Sequence, residues 1–300
     1  MGAAPRPSNP DKRVAMKIGI FGNRYQESHL DELGVFISLL RERGDRLYVD
    51  RNFAEYLCSN SIKIEPSETA DTLPADTEIV VSIGGDGTFL KTAAWVGSLE
   101  IPVMGINTGH LGYLTGFSFS NPKHIYDALE GRCEISPRML LKLSSPHIPE
   151  DFSPFALNEI SISKGDTTSM VEIKAAIDGR YLADYLADGL VVSTPTGSTA
   201  YNLSCGGPIM QPTLESLVLS PIAPHSLTLR PLVVSSRSKL QFEVRSRGAE
   251  SHIGVDGRTF AVPADGEILT ISEAPYKVKV VQPAGNDFAA VLRSKLGWGG

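Results

Sequence analysis

Cysteine is scarce in this chain: three residues in 300, Cys58, Cys133 and Cys205. They are far apart, form no Cys-x-x-Cys pair and match no zinc-ligand spacing, which excludes a disulfide scaffold and a zinc ribbon and fits a reducing cytosol. Cys58 and Cys133 read as small buried hydrophobes, and Cys205 as a pocket-lining residue without chemistry. No apolar run reaches the length of a membrane span. Met1 to Pro10 lack the apolar core of a secretion signal, so a cytoplasmic protein without a membrane partner is expected. The sequon Asn202-Leu203-Ser204 then carries no weight. Positive charge is not in excess. With 28 Lys and Arg against 34 Asp and Glu the formal charge is −6, so no general attraction to nucleic acid follows. Three motifs are missing as well. There is no Gly-Lys-Ser/Thr of a P-loop, no Gly-x-Gly-x-x-Gly after the first strand, and no closing glycine after Gly197-Ser198-Thr199-Ala200 to make a nucleophile elbow.

What remains is a chain with 42% hydrophobic residues, enough for a real core. Its first part alternates strand and helix patterns. Met16 to Gly22 reads as a strand. Leu30, Leu33, Phe36, Ile37 and Leu40 recur at helical spacing and stop near Gly44. Arg46 to Val49 is a second strand, followed by an amphipathic helix around Phe53 to Leu57. Thr69 to Thr77 is polar and proline-marked, a surface loop. Ile101 to Asn107 is a further strand, and Pro122 to Glu130 a helix closed by Gly131. Strands alternating with helices imply a parallel sheet, whose ligands gather at the strands' carboxyl ends. From Cys133 onward the texture becomes β-rich, with short branched runs at Ala156 to Ser163, Met170 to Ile177, Leu190 to Ser193, Leu240 to Val244, Ile268 to Ile271 and Tyr276 to Val281. Asp178-Gly179 is a hairpin signal. The expected division is a flexible tail at 1–15, an α/β domain at 16–132 and a β-rich domain at 133–283. A last helix, Asp287 to Leu296, lies in a segment 284–300 that packs back on the first domain.

Two stretches carry the chemistry. Val80-Val81-Ser82-Ile83-Gly84-Gly85-Asp86-Gly87-Thr88-Phe89-Leu90-Lys91 is a buried strand that turns through glycines into a helix. Such a turn gathers backbone N–H groups and a helix dipole where an anion sits well. Asp86 is out of place beside a phosphate unless it holds a metal or takes a proton; the alternative is a helix N-cap. The second stretch, Asp188 to Ile209, has six hydroxyl side chains between Ser193 and Tyr201, set among proline and glycine. Such a loop suits a ligand rich in hydroxyls and amides, with Tyr201 to stack on a ring and Asp188 to accept from an amide. A serine-rich loop with helix caps is the alternative. Thr108 to Leu114 is a glycine-rich loop over the same crevice as Asp86 and Asn107. His110 has no role that its neighbours define.

Gly84-Gly85-Asp86-Gly87-Thr88 resembles the signature shared by NAD kinases, diacylglycerol and sphingosine kinases and, less closely, phosphofructokinases. Asn158-Glu159, the run from Asp188 to Ile209 with Ser-Thr-Pro-Thr-Gly-Ser-Thr-Ala-Tyr and Gly-Gly-Pro-Ile, and Pro224-His225-Ser226-Leu227 resemble segments of NAD kinases in particular. The likeness spans roughly residues 16 to 285. It implies an NAD kinase-like fold and phosphorylation of the 2′-hydroxyl of the adenosine ribose of NAD, with ATP and a divalent metal such as Mg2+, giving NADP. By the resemblance Asp86 is the general base, and Gly85, Gly87 and Thr88 hold phosphates. Lys91 neutralises them or is simply a solvated helix residue. Asn158 and Glu159 bind adenine and ribose, and Asp188 receives the nicotinamide end. Thr199, Ala200, Tyr201, Asn202, Leu203 and Ser204 wrap the dinucleotide. No protein ligand of the metal is assigned, and His225 has no derivable role. Arg258 after Val255-Asp256-Gly257 leaves that segment's contacts open. The resemblance also implies a homo-oligomer, dimer or tetramer. Two other readings remain: a lipid kinase, which leaves the hydroxyl-rich loop unexplained, and a dinucleotide-binding regulator without catalysis.

Overall fold

The computed structural model describes residues 15–24, 26–64, 69–109, 112–165 and 168–298, with side chains left aside at 247–249. The expected tail lies almost wholly outside the described residues, as does His110. The chain forms two compact units. One runs to Trp95 and resumes over Ile101–Tyr126; the other takes Val96–Glu100 and the chain from Asp127 onward. The C-terminal helix, which the sequence reading joined to the first domain, is counted with the second unit.

The first unit holds β1 (Lys17–Gly22), α1 (Leu30–Glu42), β2 (Arg46–Asp50), α2 (Arg51–Ser59), β3 (Thr69–Ala70), β4 (Ile79–Ile83), α3 (Asp86–Val96), β5 (Val103–Asn107), β6 (Phe117–Ser118) and the start of α4 (Pro122–Leu129). Its strands lie in the order β3-β2-β1-β4-β5-β6, and every pairing is parallel. All five residues of β4 and of β5 are buried, as branched strands covered on both faces must be. The stripe Leu33, Phe36, Ile37 and Leu40 is the buried face of α1. Asp50 caps α2, accepting from the Phe53 N–H at 3.1 Å. The chain order reverses direction between β1 and β4, the place where sheets of this order take ligands. One expectation is corrected. Thr69–Thr77 is not all loop, because Thr69 and Ala70 pair with Val49 and Asp50 as the edge strand, anchored by the buried Leu73.

The second unit is built on β7 (Cys133–Ser144), β8 (Phe155–Ala156), β9 (Glu159–Lys164), β10 (Val171–Ile177), β11 (Arg180–Ala187), β12 (Gly189–Ser193), a one-turn α5 (Tyr201–Ser204), β13 (Ser216–Ile222), β14 (Leu232–Ser235), β15 (Leu240–Val255), β16 (Arg258–Pro283) and α6 (Phe288–Leu296). Its strands pair antiparallel over a core that includes Leu141, Ile160, Ile173, Val192, Phe242, Ile253 and Ile271. Asp178-Gly179 forms the hairpin between β10 and β11, with φ of 52° and 76°. Asp256-Gly257 forms the same turn between β15 and β16, with φ of 47° and 78°. Two consecutive residues at positive φ match the twist of a two-residue hairpin. Ile268–Ile271 and Tyr276–Val281, read from sequence as separate strands, are parts of one β16. The break between them is a register shift between Glu273 and Lys277, where Glu100 Oε1 accepts the Lys277 N–H at 3.0 Å. Cys133 and Cys205 are half-buried but Cys58 is exposed, and all three are free thiols; the reading of Cys58 as buried is corrected, because α2 turns that position outward.

Candidate active site

In the first unit β4 passes straight into α3. The turn's steric demand falls on Gly84, whose φ is +146° and where a Cβ would come within 2.5 Å of Thr88 Oγ1. A Cβ at Gly85 or Gly87 would meet nothing within 4 Å, so both leave the backbone open to approach. Asp86 opens α3, and its carboxylate faces the loop after β5. Oδ2 accepts from the Tyr113 N–H at 2.8 Å. Oδ1 accepts from the N–H groups of Leu114 and Thr115 at 3.1 and 3.3 Å and from Thr115 Oγ1 at 3.1 Å. A Cβ at Gly112 would overlap Asp86 Oδ1, so only glycine lets the loop close on the carboxylate. Asn107 steadies that loop, donating to Thr115 Oγ1 at 2.8 Å and accepting from the Gly109 N–H at 2.6 Å. Burial, and then the charge of Asp86, push the Tyr113 phenol up. An ionised carboxylate has about four acceptor positions. Oδ1 is crowded by three donors while Oδ2 holds one, so Oδ2 keeps the free lone pair.

Asn23 follows β1 and donates to Thr88 Oγ1 at 3.0 Å, and Gln26 donates to Asn23 Oδ1 at 2.7 Å and to the Ile83 carbonyl at 3.2 Å. This polar chain fixes the carboxyl ends of β1 and β4 to the first turn of α3. The sequence reading missed both residues; their only signal was the end of the apolar strand at Gly22. Thr88 is buried, and Lys91 lies on an exposed face of α3.

In the second unit the hydroxyl-rich stretch folds onto the start of β9. Thr194 Oγ1 donates to the Leu157 carbonyl at 2.6 Å and accepts from the Gly197 N–H at 3.0 Å. Ser193 Oγ donates to the Asn158 carbonyl at 3.2 Å, and a Cβ at Gly197 would overlap that carbonyl. Ser198 Oγ donates to the Pro195 carbonyl at 2.7 Å and accepts from the Met210 N–H at 2.9 Å. Asn202 is fully buried. It donates to the carbonyls of Ser198 and Pro208 at 3.0 and 3.1 Å and accepts from Ser220 Oγ at 2.7 Å. Ser193, Thr194, Thr196 and Ser198 are likewise buried, so much of the hydroxyl content builds the loop. Thr199, Ala200 and Leu203 are half-buried, and Tyr201 and Ser204 exposed.

Asp256, at the β15–β16 turn, is the residue the sequence reading passed over. Its carboxylate accepts the N–H groups of Leu157, Asn158 and Glu159 at 2.7, 2.8 and 3.2 Å. Burial pushes its carboxyl up, against those hydrogen bonds. Glu159 is pushed up to about 7 by burial and then by the charge of Asp256, with the Tyr201 N–H acting against both; its Oε2 is buried without a partner. Burial raises the Tyr201 phenol, and the charges of Cys205, Glu159 and Asp188 add to the shift. Asp188 is paired with Lys164, Oδ1 to Nζ 2.7 Å. Arg258 reaches the carbonyls of Ser153 and Phe155 at 3.3 and 3.5 Å and stacks on Phe152. His225 is exposed, and its N–H donates to the Leu186 carbonyl at 2.8 Å.

Comparison with known proteins shows the family of the chain. Residues 18–134 match the ATP-NAD kinase N-terminal domain and residues 157–283 the ATP-NAD kinase C-terminal domain. An NAD kinase of Christiangramia forsetii is 39% identical over 291 residues, covering 95% of this chain and 98% of the relative. One from Porphyromonas gingivalis is 42% identical over 287 residues, covering 94% and 98%. The chain belongs to the NAD kinase family. Its activity is that of a phosphotransferase acting on NAD, and the lipid-kinase and non-catalytic readings fall away. Solved structures of related kinases share this fold. Yeast NADH kinase complexed with NADH has a TM-score of 0.83 at 25% identity, over 98% of this chain and 93% of that one. An NAD kinase from Archaeoglobus fulgidus in complex with ATP has a TM-score of 0.66 at 25% identity, over 93% and 99%. No helix among the described residues is long and apolar enough to cross a membrane.

Proposed function

We propose that Asp86 is the general base of the transfer, taking the proton of the adenosine 2′-hydroxyl of NAD on Oδ2 as that oxygen attacks the γ-phosphorus of ATP. The new bond is ribose O–P, the bond that breaks is P–O to the leaving ADP, and the negative charge departs on ADP. The observation that carries this is the uneven load on the carboxylate, with three donors on Oδ1 and one on Oδ2. Such clamping fixes direction, and phosphoryl transfer depends mostly on alignment and charge neutralisation. The open backbone at Gly85 and Gly87 supports a phosphate role, with Thr88 holding the turn and Lys91 supplying charge from the helix face. Asn158 and Glu159 take the adenine and ribose, Asp188 the nicotinamide end, and Thr199 to Ser204 the body of the dinucleotide, Tyr201 against a ring. Asn202 serves by shape, since its amide is engaged within the fold.

Among the described residues no three His, Cys, Asp or Glu side chains converge on a metal-sized site. Magnesium enters with the ATP complex, held largely by phosphate oxygens. ATP as donor is supported by the archaeal relative bound to ATP, and a dinucleotide acceptor by the yeast relative bound to NADH. The proposal includes a cytoplasmic homo-oligomer, dimer or tetramer, for which light scattering on the purified chain is the check. The test of the chemistry is incubation with NAD, magnesium and ATP, with enzymatic detection of NADP, for wild type and Asp86→Asn. Turnover disappears in the variant while NAD binding persists. Parallel loss of binding and turnover removes Asp86 from the role of base.

A further inference from the structure

The transfer step proposed for Asp86 uses neither Lys164 nor Asp188. Lys164 Nζ lies 2.7 Å from Asp188 Oδ1, with side chains 29% and 38% exposed. The pair is also tied through the main chain, the Lys164 N–H donating to the Asp188 carbonyl at 3.0 Å. The acidic groups whose charges reach the Tyr201 phenol are Glu159 and Asp188, and the charge of Asp256 acts on Glu159. Arg258 is engaged with the carbonyls of Ser153 and Phe155 instead. Lys164 is thus the cation bonded to Asp188.

We infer that Lys164 is a positioning residue that sets the preference between oxidised and reduced dinucleotide by cancelling the charge of Asp188. The inference rests on the assignment of Asp188 to the nicotinamide end. An oxidised nicotinamide ring is a pyridinium with one positive charge; the reduced ring is neutral, of nearly the same size, with the same carboxamide. Hydrogen bonds to the carboxamide therefore cannot tell the two apart, and local charge can. Asp188 alone would favour the cationic ring. Asp188 paired with Lys164 presents a dipole of small net charge, and both redox forms are accepted. For a half-exposed pair, solvent and salt hold the effect of removing one charge to about three- to tenfold in relative affinity.

The experiment measures dissociation constants of NAD and NADH by calorimetry for wild type, Lys164→Met, Lys164→Arg and Asp188→Asn, at low and high salt. Lys164→Met is expected to raise the preference for NAD over NADH about three- to tenfold at low salt and less at high salt. Lys164→Arg keeps the wild-type ratio, and Asp188→Asn, which leaves the cation unpaired, shifts it toward NADH. If Lys164→Met leaves the ratio unchanged while Asp188→Asn shifts it, the inference is overturned and the assignment of Asp188 stands. If neither moves the ratio, the nicotinamide end lies elsewhere and both fall. Should Lys164→Met fail to fold, Lys164→Gln carries the same expectation.

Discussion

Asp256 and Glu159 are joined and opposed at once: the Asp256 carboxylate accepts the Glu159 N–H at 3.2 Å, while its charge helps push the Glu159 carboxyl up to about 7. The hairpin turn that carries Asp256 thereby anchors the start of β9 and adds to the burial that raises the Glu159 carboxyl.

Glu159 gives the enzyme a pH-dependent stability of defined sign. Its folded pKa lies above the ordinary glutamate value of 4.5, so between about pH 4.5 and 7 the native state binds more protons than the unfolded one and stability falls as pH rises. Asp256, raised by burial, contributes stability that likewise falls as pH rises. Glu159→Gln should remove much of the slope and be more stable than wild type above pH 7 by roughly 1–3 kcal/mol. Urea unfolding from pH 5 to 8 measures it; parallel curves for the two proteins contradict the raised pKa.

Asp256→Ala leaves buried N–H groups of Leu157, Asn158 and Glu159 without their acceptor, a loss of about 2–4 kcal/mol. Asp256→Asn should be milder, since asparagine tolerates the positive φ of the turn and keeps one acceptor oxygen. Thermal denaturation of the two variants checks the order, and equal losses would remove the backbone anchor as the explanation.

Gly112→Ala drives a methyl group into Asp86 Oδ1. The loop must shift away from the carboxylate, and turnover should fall about a hundredfold, as expected when a catalytic group is misplaced by about an ångström. Gly85→Ala meets open space and should leave the melting temperature unchanged while raising KM for ATP. Steady-state kinetics with melting curves separates the two effects.

Thr115→Val deletes one of the donors to Asp86 Oδ1 and the acceptor of Asn107. With two N–H groups still on that oxygen, turnover should fall roughly tenfold with KM for NAD little changed. A larger rise in KM than fall in kcat would make the contact a binding feature.

Asn202→Ala should destabilise the second unit by about 2–4 kcal/mol, because Ser220 Oγ and the carbonyls of Ser198 and Pro208 lose their partner in a buried site. Chemical denaturation measures it, and a loss confined to NAD affinity would return Asn202 to the ligand.

Local pattern alone determined the alternation of strand and helix up to Asn107, the face of α1, the hairpin at Asp178-Gly179 and the glycine turn that presents Asp86, because each depends on a few neighbouring side chains. The motifs also named the family that the comparisons show. Strand continuity was beyond it, since Ile268–Ile271 and Tyr276–Val281 read as separate strands until an antiparallel partner, β7, carried them across a shift of register. The direction of the hydroxyls was beyond it too: Thr194 and Ser198 can face a ligand or a carbonyl, and only packing against residues 157–158 and 210 turned them inward. Asp256 lies about a hundred positions from the N–H groups it holds, and Gly112 is required only because Asp86 arrives from the start of α3. Such contacts join residues with no local relation in the chain, so the tertiary fold had to form before either role existed.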